Sequence, residues 1–180
     1  MARGVTRVGP RRWRTETRDG RGLILREIRP EDAPALIAAF ARQDPDDRKL
    51  RLLSALPKLP ERMAQRFCTV DGVRDFCLVW EPEDAAGTLA GGARLMRDPG
   101  DETRAEFAVS VASELKGHGL GRKALETVIE LGAENGIERV WGSISRGNTA
   151  MRGLAAKLGM TERPDPDDRA LVIAERSTRP

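Results

Sequence analysis

Ala105-Glu106-Phe107-Ala108-Val109-Ser110-Val111 leads into Lys116-Gly117-His118-Gly119-Leu120-Gly121-Arg122-Lys123, the most informative stretch of the chain. Phe107, Val109 and Val111 alternate with Glu106, Ala108 and Ser110, which is the period of a strand. The second stretch sets Gly at every second position, flanked by the cations Lys116, Arg122 and Lys123, and an amphipathic helix begins inside it. Without side chains in the way, the N–H groups of such a loop can converge on an anion. The helix behind the loop adds the positive end of its dipole. Three glycines alone would be explained by a plain turn between strand and helix. Together with the strand and the flanking charges they point to a diphosphate site.

Two common phosphate loops do not match. In the dinucleotide pattern G-x-G-x-x-G the third glycine would fall on Arg122, and a P-loop would need Lys-Ser/Thr after Gly121, where Arg-Lys-Ala stands. The loop instead resembles the Arg/Gln-x-x-Gly-x-Gly/Ala signature of the GNAT N-acetyltransferase superfamily, with Lys116 in the first slot. A second segment, Asn148 with Leu154, Lys157, Gly159 and Met160, is similar to the pattern Asn-x-x-Ala-x-x-Leu-Tyr-x-Lys-x-Gly-Phe of the same superfamily. Ala155 holds its tyrosine slot and Met160 its terminal aromatic, and the chain has no tyrosine at all. Within the superfamily the chain resembles the acetyltransferase domains of bacterial protein-lysine acetyltransferases that act on acyl-CoA synthetases. Their strand often reads Ala-Glu-Phe-Ala-Val and their helix also lacks the tyrosine. The likeness extends to residues 90–98 and to Pro164-Asp165-Pro166-Asp167-Asp168.

Composition sets the frame. A chain of 180 residues with 31 basic and 28 acidic side chains suits one compact domain, and its net charge of +3 is too small to imply a nucleic-acid partner. No apolar run reaches membrane-spanning length, so no membrane partner and a cytoplasmic location are expected. Cys68 and Cys77 are too few and too far apart for a metal quartet or a redox pair, and no metal is expected. Cys77, inside Phe76-Cys77-Leu78-Val79-Trp80, reads as a packing thiol.

The arginines of residues 1–20 are spread without helical or strand period. They read as a basic, loosely ordered tail ahead of an acetyltransferase domain over residues 21–180. A strand at residues 22–28 is followed by a helix started by Pro30-Glu31-Asp32. Leu50, Leu52 and Leu53, then Met63 and Phe67, suggest a second helical region broken by Pro57 and Pro60. Residues 74–80 and 88–96 read as a hairpin, followed by the strand at 104–111. Leu120, Ala124, Leu125, Val128 and Ile129 form a helical stripe ending at Gly136. A strand at 137–144, a helix capped by Asn148 and a strand at 170–174 complete the order β-α-α-β-β-β-α-β-α-β. This is an α/β arrangement, a mixed and mostly antiparallel sheet flanked by helices, and it is also the order that the GNAT resemblance implies.

Acyl transfer to an amine needs that amine neutral, and a free lysine has a pKa of about 10.4, so a base must take its proton. Glu106 is the only carboxylate between Arg104 and Val111. It projects beside Ala108 and Ser110, which leave room for a ligand arm, and it is the candidate base. His118, the only histidine, lies within the loop, where it would touch ligand or solvent. No activated nucleophile is visible, so transfer would be direct. The resemblance implies acetyl-CoA as cosubstrate, held by the loop residues Lys116, Gly117, His118, Gly119, Leu120, Gly121, Arg122 and Lys123. Asn148 would order the pantetheine arm, and the backbones of Val109 and Val111 would pair with it. The Val109 N–H would polarise the thioester carbonyl. The expected acceptor is a protein lysine, the chain acting as monomer or homodimer. A small-molecule amine acceptor and a non-catalytic acyl-CoA sensor are the alternatives.

Overall fold

The computed structural model describes residues 4–43 and 57–179. Leu50, Leu52 and Leu53 lie outside the described residues.

Nine strands form one sheet: β1 (Thr6–Gly9), β2 (Arg12–Glu16), β3 (Gly22–Glu27), β4 (Asp75–Pro82), β5 (Gly91–Asp98), β6 (Asp101–Val111), β7 (Arg139–Ser145), β8 (Thr161–Pro164) and β9 (Leu171–Ser177). Their spatial order is β1-β2-β3-β4-β5-β6-β7-β9-β8. Every pairing is antiparallel except β6 with β7, which run parallel. A parallel pair needs a crossover, and α3 (Leu120–Glu134) supplies it. The remaining α-helices among the described residues are α1 (Ala33–Arg42), α2 (Glu61–Cys68) and α4 (Thr149–Lys157).

Strand alternation sorts the side chains into two cores. From β4, Phe76, Leu78 and Trp80 pack with Leu95, Phe107 and Val140 against Leu120, Ala124, Leu125 and Val128 of α3, Ala155 of α4 and Leu158 at its C-cap. Cys77 and Val79 of the same strand face the other way, joining Ala33 and Phe40 of α1 and Ala64 and Cys68 of α2. Burial on both faces is why residues 76–80 read as an unbroken apolar run. The indole of Trp80 donates to the Leu120 carbonyl at 3.2 Å, tying the central sheet to the start of α3.

On the α1–α2 side the buried Arg26 guanidinium clasps Asp32 through two 2.8 Å bonds and reaches Glu81 at 2.7 Å. Burial alone would raise the Asp32 carboxyl, but Arg26 and the Arg29 amide hold it below its ordinary value.

The N-terminal stretch departs from expectation. Within the loosely ordered tail expected over residues 1–20, residues 6–16 instead form a hairpin, β1–β2, that extends the sheet beside β3. Its alternation escapes a hydropathy reading because Thr15, its inward position, and Thr17, just past β2, are buried threonines, while Trp13 packs partly buried on the main core. The arginines serve as cross-strand partners: Arg11 to Glu27 at 2.5 Å, Arg14 to Glu83 at 3.0 Å, and Arg7 at 5.9 Å from the Trp13 ring centroid. The short strand β8, absent from the expected order, pairs with β9 at the opposite edge.

Candidate active site at the parting of β6 and β7

The parallel ladder between β6 and β7 has three rungs, Arg104 with Arg139, Ala105 with Val140, and Glu106 with Trp141. Past Glu106 the strands separate. Hydrogen bonding fixes what faces the opening. Ala112 N–H donates to the Ala90 carbonyl on the β5 side, whereas the Thr103 carbonyl accepts from Glu138 at the start of β7. Alternation therefore turns the odd-numbered backbone groups of β6 toward β7. Beyond the last rung these are the N–H and C=O groups of Val109 and Val111, which open into the gap and are available to an extended ligand, as at an unpaired sheet edge. The Phe107 ring lies over Gly142, the first β7 residue past the last rung, where a Cβ would come within 2.7 Å of it.

The glycine loop closes the mouth of this gap. Gly117 and Gly119 have φ of +83° and +78°, the left-handed region that favours glycine, and Gly119 is the N-cap of α3. Gly121 lies in the first turn of α3, where an added Cβ would sit 3.4 Å from Val111, 3.7 Å from Leu154 and 3.7 Å from Val109. The free edge of β6, the start of α3 and α4 thus converge on one glycine. Asn148 caps α4 from the end of β7, its Oδ1 accepting from the Met151 amide at 3.0 Å. Two helix N-termini therefore stand at the same end of the parallel pair, the usual place for ligands in sheets with parallel strands.

The cations divide. Lys116 is exposed at the start of the loop. Arg122 pairs with Glu126 one turn along α3 at 2.8 Å. Lys123, expected on the diphosphate, is turned to the N-terminal hairpin instead: its Nζ donates to Thr15 Oγ1 at 2.7 Å, and that hydroxyl donates to the Gly4 carbonyl at 2.6 Å. Desolvation lowers the Lys123 pKa. His118 Nδ1 is buried without a hydrogen bond among the described residues, 3.9 Å from Asp19 in the β2–β3 turn. Of the eight loop residues, then, Lys123 has one ammonium donor engaged by the hairpin.

Glu106 lies on the opposite face of β6 from Phe107 and Val109, half-buried, and no hydrogen bond or ion pair engages its carboxylate among the described residues. Burial, and after it the charge of Asp98, raises its pKa above that of an ordinary carboxyl. An unengaged carboxylate of raised proton affinity beside an open strand edge has the properties of a general base. Cys68 has the opposite character: it is fully buried, and desolvation pushes its thiol up to about 11. Ala155 is also fully buried, in the core beneath α4.

Three residues beside Glu106 were not singled out in the sequence. The Trp141 indole N–H is shared by both oxygens of Asp98 at 2.9 and 3.0 Å. Arg104 bonds Asp98 at 3.1 Å and lies 4.7 Å from the Trp141 ring centroid. An irregularity in the register between Arg97 and Asp98 displaces Asp98 from simple alternation, and the parallel β6–β7 register has no local signature. The one available signal was a tryptophan alternating with small residues in β7.

Comparison with known proteins agrees with this geometry. The family model described as Acetyltransferase (GNAT) domain matches residues 22–161. Acetyltransferase PA5475 of Pseudomonas aeruginosa is 26% identical over 161 residues, which are 89% of this chain and 87% of that protein. Among solved structures, the GNAT domain of S. lividans PAT superposes with a TM-score of 0.84 at 21% identity, covering 92% of this chain and 96% of that one. The cAMP-binding acyltransferase from Mycobacterium smegmatis superposes with a TM-score of 0.65 at 22% identity over 98% of this chain, which spans about half of that longer protein, 48%. A strand pair parted at its C-terminal end, a glycine loop on a helix N-terminus and a family match over most of the sequence lead to one assignment: the chain belongs to the GNAT acetyltransferases, enzymes that use acetyl-CoA.

Proposed function

We propose that the chain transfers an acetyl group directly from acetyl-CoA to a primary amine, preferentially a protein lysine, with Glu106 as general base. The observation that carries this reading is the unengaged, half-buried Glu106 carboxylate at the last rung before β6 and β7 part. The backbones of Val109 and Val111 would pair with the pantetheine arm like an added strand. The loop amides around Gly117, Gly119 and Gly121, with Lys116, His118, Leu120 and Arg122, would hold the diphosphate at the α3 N-terminus. The bound cosubstrate supplies an acetyl group as a thioester. Glu106 accepts one proton of the incoming ammonium, the amine nitrogen bonds to the acetyl carbon as the C–S bond breaks, and the second proton that the nitrogen sheds on becoming an amide quenches the departing CoA thiolate to the thiol. The Val109 N–H would stabilise charge on the carbonyl oxygen.

Two features support a lysine on a protein. The Ala105–Val109 strand and the tyrosine-free α4 resemble bacterial protein-lysine acetyltransferases. Met96, opposite Glu106 on β5, is also 44% exposed, which suits a bulky acceptor. Glu106→Gln preserves shape without the base. Affinity for CoA should hold in calorimetry while turnover falls about 10²-fold at neutral pH. A rate within twofold of the parent would return Glu106 to the scaffold. A parent that binds CoA yet acetylates nothing in a broad acceptor panel would favour the sensor reading.

A further inference from the structure

Strand register places Met96 of β5, Glu106 of β6 and Trp141 of β7 on one rung. Residues directly opposite one another share a face, so the three side chains rise together from the sheet with Glu106 in the middle. Neighbouring strands are about 4.8 Å apart, so the two flanking backbones stand roughly 10 Å apart, wide enough for an alkyl chain to descend onto the carboxylate. The indole is not free to swing. Its N–H is shared by both Asp98 oxygens across β6, and Arg104, two residues before Glu106 on the same face, covers one side of the ring. Arg104 also bonds Asp98, which closes the triangle. Arg104 thus lies on one side of the ring, and Glu106 is the rung partner of Trp141 on β6.

We propose that Trp141 and Met96 select the acceptor. The side of the indole away from Arg104 and the methionine side chain receive the unbranched methylene stem of an alkyl primary amine and bring its ammonium end to Glu106. This rests on the reading of Glu106 as base. The chemistry is complementary at each point. A cation approaching the carboxylate is attracted by the π face, and its methylenes leave water against the ring and the thioether. Partial desolvation of the ammonium beside these groups favours its neutral form, the form that attacks. An α-amine at a chain terminus has its branch point next to the nitrogen and presents no stem to the rung. Lysine side chains and free alkylamines share the required chemistry.

The test is steady-state transfer at saturating acetyl-CoA with three acceptors: Nα-acetyl-lysine methylamide, 1-aminopentane and alanine methylamide. The first two should exceed the third at least tenfold in kcat/KM. The larger of the first two identifies whether a peptide or a free amine is the better source. Trp141→Leu should raise KM for the lysine compound about tenfold, with kcat within threefold and CoA affinity unchanged, and Trp141→Phe should restore KM to within threefold. Met96→Ala, at an exposed position that the fold tolerates, should raise KM about threefold and stands as the test if Trp141→Leu does not fold. Equal use of the α-amine, an unchanged KM in Trp141→Leu and Met96→Ala, or a Phe variant as poor as the Leu variant would each overturn the proposal while the base assignment stands. A parent that binds CoA but acetylates none of the three overturns the base assignment, and the proposal falls with it.

Discussion

Glu106 occupies a position where folding disfavours a charged carboxylate. Its pKa is raised by burial and then by Asp98, so the folded chain holds that proton more tightly than the unfolded chain does. By linkage, stability declines as pH rises from the unfolded value of about 4.3 through the folded one, and at neutral pH the ionised group is a net cost. Activity has the opposite sign, because only the ionised form can accept a proton. Glu106→Gln should therefore melt at or above the parent temperature at pH 7, and parent kcat/KM should fall as pH drops through a value above the ordinary carboxyl range. Thermal melts at pH 5 and pH 7 beside a pH–rate profile read both. A Gln variant that melts lower at pH 7 would mean that the carboxylate holds the sheet together. The sequence showed the identity and face of this residue, since alternation in β6 suffices for that. It could not show Asp98 or Trp141 beside it, which depend on an irregular register and a parallel pairing across distant segments.

Elements were legible to the degree that their buried faces were apolar. The stripe of α3 and the unbroken apolar run of β4 declare themselves, whereas β2 conceals its buried Thr15 among arginines. Two elements carry predictions. Gly121 opens α3, and an alanine methyl there would meet Val111, Leu154 and Val109 at ordinary contact distance. Gly121→Ala should keep or raise the melting temperature, since Ala is the better helix former, while the methyl crowds the gap and weakens CoA binding tenfold or more in calorimetry. Unchanged affinity would mean that no ligand passes this turn. The start of α1 is held by the Arg26 clasp on Asp32, whose carboxyl lies below its ordinary value. A depressed carboxyl contributes stability that is present above the unfolded pKa of about 3.9 and lost as pH falls through the folded one. Asp32→Ala leaves Arg26 with Glu81 and the Glu27 carbonyl and should cost about 3 kcal/mol in urea titration at pH 7, with a smaller difference from the parent in acid. A pH-independent difference would place the loss in packing.

At the scale of the whole molecule the N-terminal hairpin and the candidate cofactor helix form one unit. Lys123 of α3 and Thr15 of β2 are 108 residues apart in sequence and 2.7 Å apart in space, and Thr15 passes the chain of bonds on to Gly4. The sequence placed Lys123 next to a phosphate loop, where a cation is naturally read as a ligand. Only the docking of β2 reveals its other partner. Thr15→Val keeps the shape but leaves a partly buried ammonium without that bond, which costs about 1–3 kcal/mol. Lys123→Met removes the ammonium, so the second substitution should add little to the first. The cycle should give a coupling of about 1 kcal/mol or more, against the few tenths expected of independent sites. Affinity for CoA should stay within threefold of the parent in Lys123→Met, because its amine is engaged by β2. Additive free energies would show that hairpin and helix are independent. A tenfold loss of CoA affinity in Lys123→Met would return the residue to the diphosphate, with Thr15 then serving to aim it.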